Sequence, residues 1–159
     1  MNAAGAPANP YVGPRTFTQA EHRLFFGRER EARDLLGRVL SERLVLFYAQ
    51  SGAGKSSLIN TRLIPGLRKV GYTVLPVGRV GGEVPSGIES VDNVYLFNLM
   101  RSLVSSESDP ARFSHLTLPV FLAGLSSDDG LNYYYDQRAA DQAASDASQP
   151  AAPYVLIVD

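Results

Sequence analysis

Residues 43–57 read Arg43-Leu44-Val45-Leu46-Phe47-Tyr48-Ala49-Gln50-Ser51-Gly52-Ala53-Gly54-Lys55-Ser56-Ser57: an apolar run, a glycine-bearing turn, then Lys-Ser-Ser. The apolar half is continuous rather than alternating. That predicts a strand over 43–49 buried on both faces, as in a parallel sheet covered by helices. From Ala49 onward the spacing fits the phosphate-loop pattern G-x-x-x-x-G-K-[ST], with Ala49 in place of the first glycine. That position ends the strand and needs only a small side chain. Gly52 and Gly54 allow positive φ and bring N–H groups toward phosphate oxygens with no Cβ in the way. Lys55 is placed to neutralise β- and γ-phosphates, and the Ser56 hydroxyl to ligate Mg²⁺. The candidate nucleotide-binding set is therefore Gln50, Ser51, Gly52, Ala53, Gly54, Lys55, Ser56 and Ser57.

Working outward, a helix is expected from Lys55 to about Ile64, ended by Pro65-Gly66. Tyr72-Thr73-Val74-Leu75-Pro76-Val77 reads as a second strand that Pro76 marks as an edge or as ending there. Asp92 is expected to cap a helix over 93–106, with Leu96, Phe97, Met100, Leu103 and Val104 on one face. A further helical pattern between Pro110 and Leu125 is weakened by Pro119. Residues 126–152 lose apolar content and read as a mobile insert, with Tyr133-Tyr134-Tyr135 left at the surface. Tyr154-Val155-Leu156-Ile157-Val158-Asp159 is a third buried-strand pattern ending on an acid. An acid there is where phosphate-loop folds place the second Mg²⁺ ligand, so Asp159 joins Ser56 as a metal candidate.

Upstream, residues 1–9 are rich in Ala, Gly and Pro and are expected to be disordered. Residues 10–17 mix turn formers with two aromatics, as an ordered extended segment would. Thr18 and Glu21 have capping-box spacing for a short helix reaching Phe25. A longer helix is expected over 28–41, with Ala32, Leu35, Leu36, Val39 and Leu40 at helical spacing and Glu29–Arg33 as an i,i+4 pair.

Composition limits the function. The 159 residues carry 15 basic and 16 acidic side chains, so no excess of positive charge points to nucleic acid. With no cysteine, disulfides and thiolate metal sites are excluded, and a reducing cytoplasm is the simplest setting. His22 and His115 have no ligand-like spacing and read as ordinary surface histidines. No apolar run approaches the roughly 20 residues of a membrane span, so no membrane partner is indicated.

Four segments in this order resemble the novel STAND NTPases, a signalling branch of the AAA-like ATPases. They are Pro10-Tyr11-Val12-Gly13-Pro14-Arg15-Thr16-Phe17; Phe25-Phe26-Gly27-Arg28-Glu29-Arg30-Glu31; the phosphate loop with Ser56-Ser57-Leu58-Ile59; and Leu156-Ile157-Val158-Asp159. The resemblance implies an α/β fold, the P-loop NTPase three-layer sandwich with a parallel sheet, over residues 10–159. It implies ATP (or ADP) and Mg²⁺ as cofactors, with Asp159 as the Walker B acid. It places Phe26, Gly27, Arg28 and Glu29 near the adenine and ribose; Tyr11 and Phe17 lie near the base or in the core.

In that family further segments follow the acid: a Glu that polarises the attacking water, two more strands and a helical lid. The sheet order 5-1-4-3-2 flanks the phosphate-loop strand with strands 4 and 5. The expectation is therefore an incomplete sandwich, strands 1 to 3 only, truncated at Asp159. The strand at 43–49 then has no neighbour in this chain, and no catalytic residue lies within it. The function implied is a nucleotide-binding portion of a signalling ATPase whose nucleotide state sets self-association or effector output. Three alternatives accompany it: a small-molecule kinase, a GTPase, or a catalytically silent interaction module. A GTPase is disfavoured because no Asn-Lys-x-Asp motif is present.

Overall fold

The computed structural model describes residue 13 and residues 15–105, 109–145 and 153–159. They fall into two units, one up to Gly71 and one from Tyr72 onward. The segments expected to be disordered or extended at 1–12, including Tyr11, lie outside the described residues, as does 146–152 of the expected insert.

The first unit begins with a single 3₁₀ turn, Gln19–Glu21, rather than a helix reaching Phe25. The Glu21 carboxylate accepts from the Thr18 N–H and hydroxyl, both at 2.9 Å, and from both terminal nitrogens of Arg15. A carboxylate holding four donors locks one turn but leaves the residues beyond it free to bend away. Helix α1 spans Glu29–Ser41, with Glu29 and Glu31 in the first turn, where the helix dipole favours negative charge. Only Leu35 of its apolar residues is fully buried. Glu29 turns away from Arg33 and pairs with Arg62 at 3.5 Å.

Lys55 opens a helix that does not stop at Pro65. It runs as α2 (Lys55–Leu58), a π-helical turn (Ile59–Leu63) and α3 (Ile64–Lys69). Proline has no N–H, and its ring crowds the carbonyl four residues back. Widening the turn immediately before Pro65 absorbs that mismatch without ending the helix. Continuation is favoured by burial: Leu58 and Leu67 are fully inside, with Leu63 and Ile64 close behind. Each such side chain stabilises by about 1.5–3 kcal/mol. Gly66 lets α1 approach, since a Cβ there would sit 3.2 Å from Leu36 Cδ2.

Residues 43–49 differ from expectation. Arg43 lies at a bend, 44–49 form no regular element, and none of them pairs with a strand among the described residues. Val45 and Phe47 are half-buried, whereas Leu44, Leu46 and Tyr48 are 89%, 84% and 82% exposed. The segment is not buried on both faces, because nothing described covers the second one.

The second unit is built on a parallel pair, β1 (Thr73–Val74) with β4 (Tyr154–Val155). Pro76 does not end the pairing. The ladder resumes with Gly78 opposite Val158, four residues on from Val74 but three on from Val155. One extra residue is thus accommodated as a bulge around the proline. The Asp159 N–H then donates to the Gly78 carbonyl at 3.0 Å.

Helix α4 (Val94–Leu103) is capped by Asn93, whose side chain accepts from the Tyr95 and Leu96 N–H groups. Asp92, the expected cap, is one residue too early and bonds His115 instead, at 2.8 Å. Phe97, Met100 and Leu103 enter the core from α4. A 3₁₀ turn Pro110–Phe113 and helix α5 (Leu118–Ala123) follow. Pro119 lies in the first turn of α5, where its missing N–H costs nothing.

The segment expected as an insert carries regular elements up to residue 145. Strands β2 (Leu125–Ser126) and β3 (Tyr134–Tyr135) form an antiparallel pair, and helix α6 is Gln137–Ser145. Tyr133 and Tyr135 are buried, not surface; only Tyr134 faces out. Phe113, Phe121 and Tyr135 pack with ring centroids 5.4–5.7 Å apart, two pairs edge-on and one stacked. Alternation on a strand sends Tyr133 and Tyr135 to one side and Tyr134 to the other. No helix among the described residues is long and apolar enough to cross a membrane.

Candidate functional site

The turn between residue 49 and helix α2 has the backbone that its glycines allow. Gly52 and Gly54 both have φ +78°, a region where side chains with a Cβ are strained. One internal bond, Ala53 N–H to the Gln50 carbonyl at 3.2 Å, closes the turn. The N–H groups of Gly52, Gly54, Lys55 and Ser56 have no protein acceptor among the described residues. Four such donors in one short stretch, at the start of a helix, form a cradle of partial positive charge.

Lys55 reaches back to the start of the loop. Its Nζ donates to the carbonyls of Ala49 at 2.8 Å and Gln50 at 3.2 Å. The ammonium is therefore held on the same side as the loop it closes. Ser56 and Ser57, adjacent in sequence, are used differently. The Ser57 hydroxyl is buried and accepts the Phe17 N–H at 3.1 Å. The Ser56 hydroxyl has no partner among the described residues, which leaves it available to a cation.

The Phe-Gly-Arg-Glu box is brought to this loop, but not as a block. Arg28 Nη1 donates to the Ala53 carbonyl at 3.1 Å. Phe26 is 76% exposed, and the Gly27 N–H bonds the Glu29 carboxylate. The aromatic ring beside the loop belongs to Phe25: a Cβ on Gly54 would lie 3.9 Å from its Cε2. Phe25 also packs on Phe17, with centroids 5.6 Å apart, and its carbonyl accepts from Arg62.

Three residues that hold the site were absent from the sequence-derived set: Phe25, Asn60 and Arg62. Asn60 Nδ2 donates to the Phe17 carbonyl at 3.3 Å, so Ser57 and Asn60 together take both backbone groups of Phe17. Their i,i+3 spacing on one helical face was the available signal. Asp159 lies in the second unit, as the last residue of the parallel ladder. No group of three or more His, Cys, Asp or Glu side chains that could hold a metal occurs among the described residues.

The class this chain falls in is given by a family match over residues 10–159, to Novel STAND NTPase 1. The chain belongs to that family, a branch of the STAND NTPases. Among curated proteins and solved structures, none matches the chain.

Proposed function

We propose that this chain binds ATP or ADP with Mg²⁺ at residues 50–57, and that the nucleotide state governs self-association or the output of an effector protein. The observation that carries the reading is the set of unaccepted N–H groups at Gly52, Gly54, Lys55 and Ser56, together with the Lys55 ammonium held on the Ala49 and Gln50 carbonyls at the start of the same loop. Such a cradle suits phosphate oxygens in both charge and geometry. Bound Mg²⁺ would neutralise phosphate charge, with the Ser56 hydroxyl as its proposed ligand from the loop. The fold that accompanies this reading is the α/β P-loop sandwich, in which β1 and β4 are neighbouring parallel strands. A cytoplasmic setting also accompanies it. Binding, rather than turnover, is the activity assigned to these residues.

Calorimetric titration of the whole chain with Mg·ATP and Mg·GTP tests the proposal. ATP is expected to bind more tightly than GTP. Lys55→Ala is expected to weaken ATP binding roughly ten- to hundred-fold, as loss of a charged hydrogen-bond donor would. Ser56→Ala should reduce the Mg²⁺ dependence of affinity. A Lys55→Ala protein that is folded and binds Mg·ATP like the wild type would remove the central claim. Light scattering in ATP and in ADP tests the assembly step, which fails if the particle mass is the same in both.

A further inference from the structure

The Ala53 carbonyl and the Gly54 N–H belong to one peptide unit. That unit is planar and trans, so the two groups point in opposite directions. Whatever holds the carbonyl from one side therefore sets where the N–H points on the other. In this chain the holder is Arg28, whose Nη1 donates to the Ala53 carbonyl at 3.1 Å. Its Nε lies 2.8 Å from Glu31 Oε1, a charge contact whose N–H is not aligned for a hydrogen bond. That contact draws the guanidinium back toward α1 while Nη1 spans to the loop.

The Gly54 N–H has no protein acceptor among the described residues. Gly54 is also the position at which Arg28 and Phe25 close in: a Cβ there would lie 3.9 Å from Arg28 Nη1 and from Phe25 Cε2. We infer that Arg28 is a positioning residue of the phosphate loop, holding the Ala53–Gly54 peptide from behind so that the Gly54 N–H is presented to a phosphate oxygen. This inference rests on the reading of residues 50–57 as a phosphate site. A charged donor on the carbonyl polarises the whole amide, which strengthens the Gly54 N–H as a donor in turn. Arg28 thus acts on the triphosphate through the loop rather than on the base. Phe26, beside it in sequence, points into solvent.

The experiment compares Mg·ATP with Mg·tripolyphosphate, which has the phosphates and no base. Both are titrated into wild type, Arg28→Gln, Arg28→Lys and Lys55→Ala. Arg28→Gln is expected to weaken both ligands by the same factor, roughly ten-fold or more. Arg28→Lys should recover most of that loss, because an ammonium also donates a charged hydrogen bond. In ligand-free ¹H–¹⁵N spectra the Gly54 amide should move in Arg28→Gln, while the amides of α4 stay in place. A loss confined to ATP, with tripolyphosphate unaffected, would overturn the inference in favour of a base contact. Unchanged affinities in both Arg28 variants would overturn it outright. If wild type bound neither ligand, or Lys55→Ala bound both as wild type does, the phosphate-site reading itself would fall. Should Arg28→Gln prove unfolded by circular dichroism, Arg28→Met takes its place, with the same equal loss expected for both ligands and unchanged affinities overturning the inference.

Discussion

In the first unit Phe17 is held by its backbone, its N–H on Ser57 and its carbonyl on Asn60, whereas in the second unit Phe113 and Phe121 are held by their rings. The same residue type is anchored in two physically different ways. Around the glycine turn at 50–54 the attachments are polar and directional: Arg28 to the Ala53 carbonyl, Arg62 to the Phe25 carbonyl, Arg68 to the Gln19 amide. Around α4 and α5 they are apolar, with Phe97, Phe113 and Phe121 essentially inaccessible to solvent. Directional bonds fix where a backbone points, which a phosphate cradle requires. Apolar packing fixes volume and contributes more free energy per residue. The first unit is thus arranged for geometry and the second for cohesion.

The sharpest way to break this comparison is a cavity in the second unit. Phe121→Ala removes a fully buried ring that packs on Phe113 and stacks on Tyr135. The expected cost is about 3–5 kcal/mol, measured by urea unfolding. A loss below about 1 kcal/mol would mean that the aromatic cluster is not the centre of that unit.

A smaller effect is expected from the polar side. Ser57→Ala deletes the acceptor of the Phe17 N–H and leaves that donor in a partly buried place. It should cost about 1–3 kcal/mol, the penalty for stranding a polar group. Amide exchange should rise at Phe17 and neighbouring residues of the first unit, with the β1–β4 ladder unaffected. If Phe17 stays protected in the variant, the polar anchor is not what holds it.

How far the sequence reveals each unit follows from the same difference. The backbone of the turn at 50–54 was legible because its cause is local: glycine stands at the two positive-φ positions, Gly52 and Gly54. The burial of Tyr133 and Tyr135 was not, since a Tyr-Tyr-Tyr run in a polar stretch carries no periodic signal until β2 is known to pair with β3. Pro65 misled for a related reason. A proline ends an isolated helix, but here Leu63, Ile64 and Leu67 gain more from burial than the π turn costs. At 43–49 the apolar pattern reported what the strand is suited to, while its exposure reports what it touches. The Phe-Gly-Arg-Glu box was legible as a distinct segment, and Arg28 does reach the turn at 50–54, but its details were not legible. Which of Phe25 and Phe26 turns inward depends on Arg62 holding the Phe25 carbonyl, 37 residues further along the chain.

The smallest expected effect is a pH dependence that tests the polar character of the first unit. Glu21 is held at a pKa of about 2, down from 4.5. The first cause is the fork of Arg15, followed by the Thr18 N–H and hydroxyl. Because the folded value is depressed, the stabilisation is complete above the unfolded value near 4.5 and is lost as pH falls toward 2. Asp129, in the β2–β3 turn, is lowered to about 2 by the Asn132 and Leu131 N–H groups, so acid alone does not distinguish the units. Glu21→Gln does. The carboxyl ¹³C titration should show Glu21 near 2 in wild type. The variant should lose the acid dependence of amide protection at residues 18–21 while keeping that at residues 129–132. A Glu21 titration near 4.5 would show that Arg15 does not hold it, and the polar ordering of the first unit would then rest on Phe17, held by Ser57 and Asn60, and on Arg28.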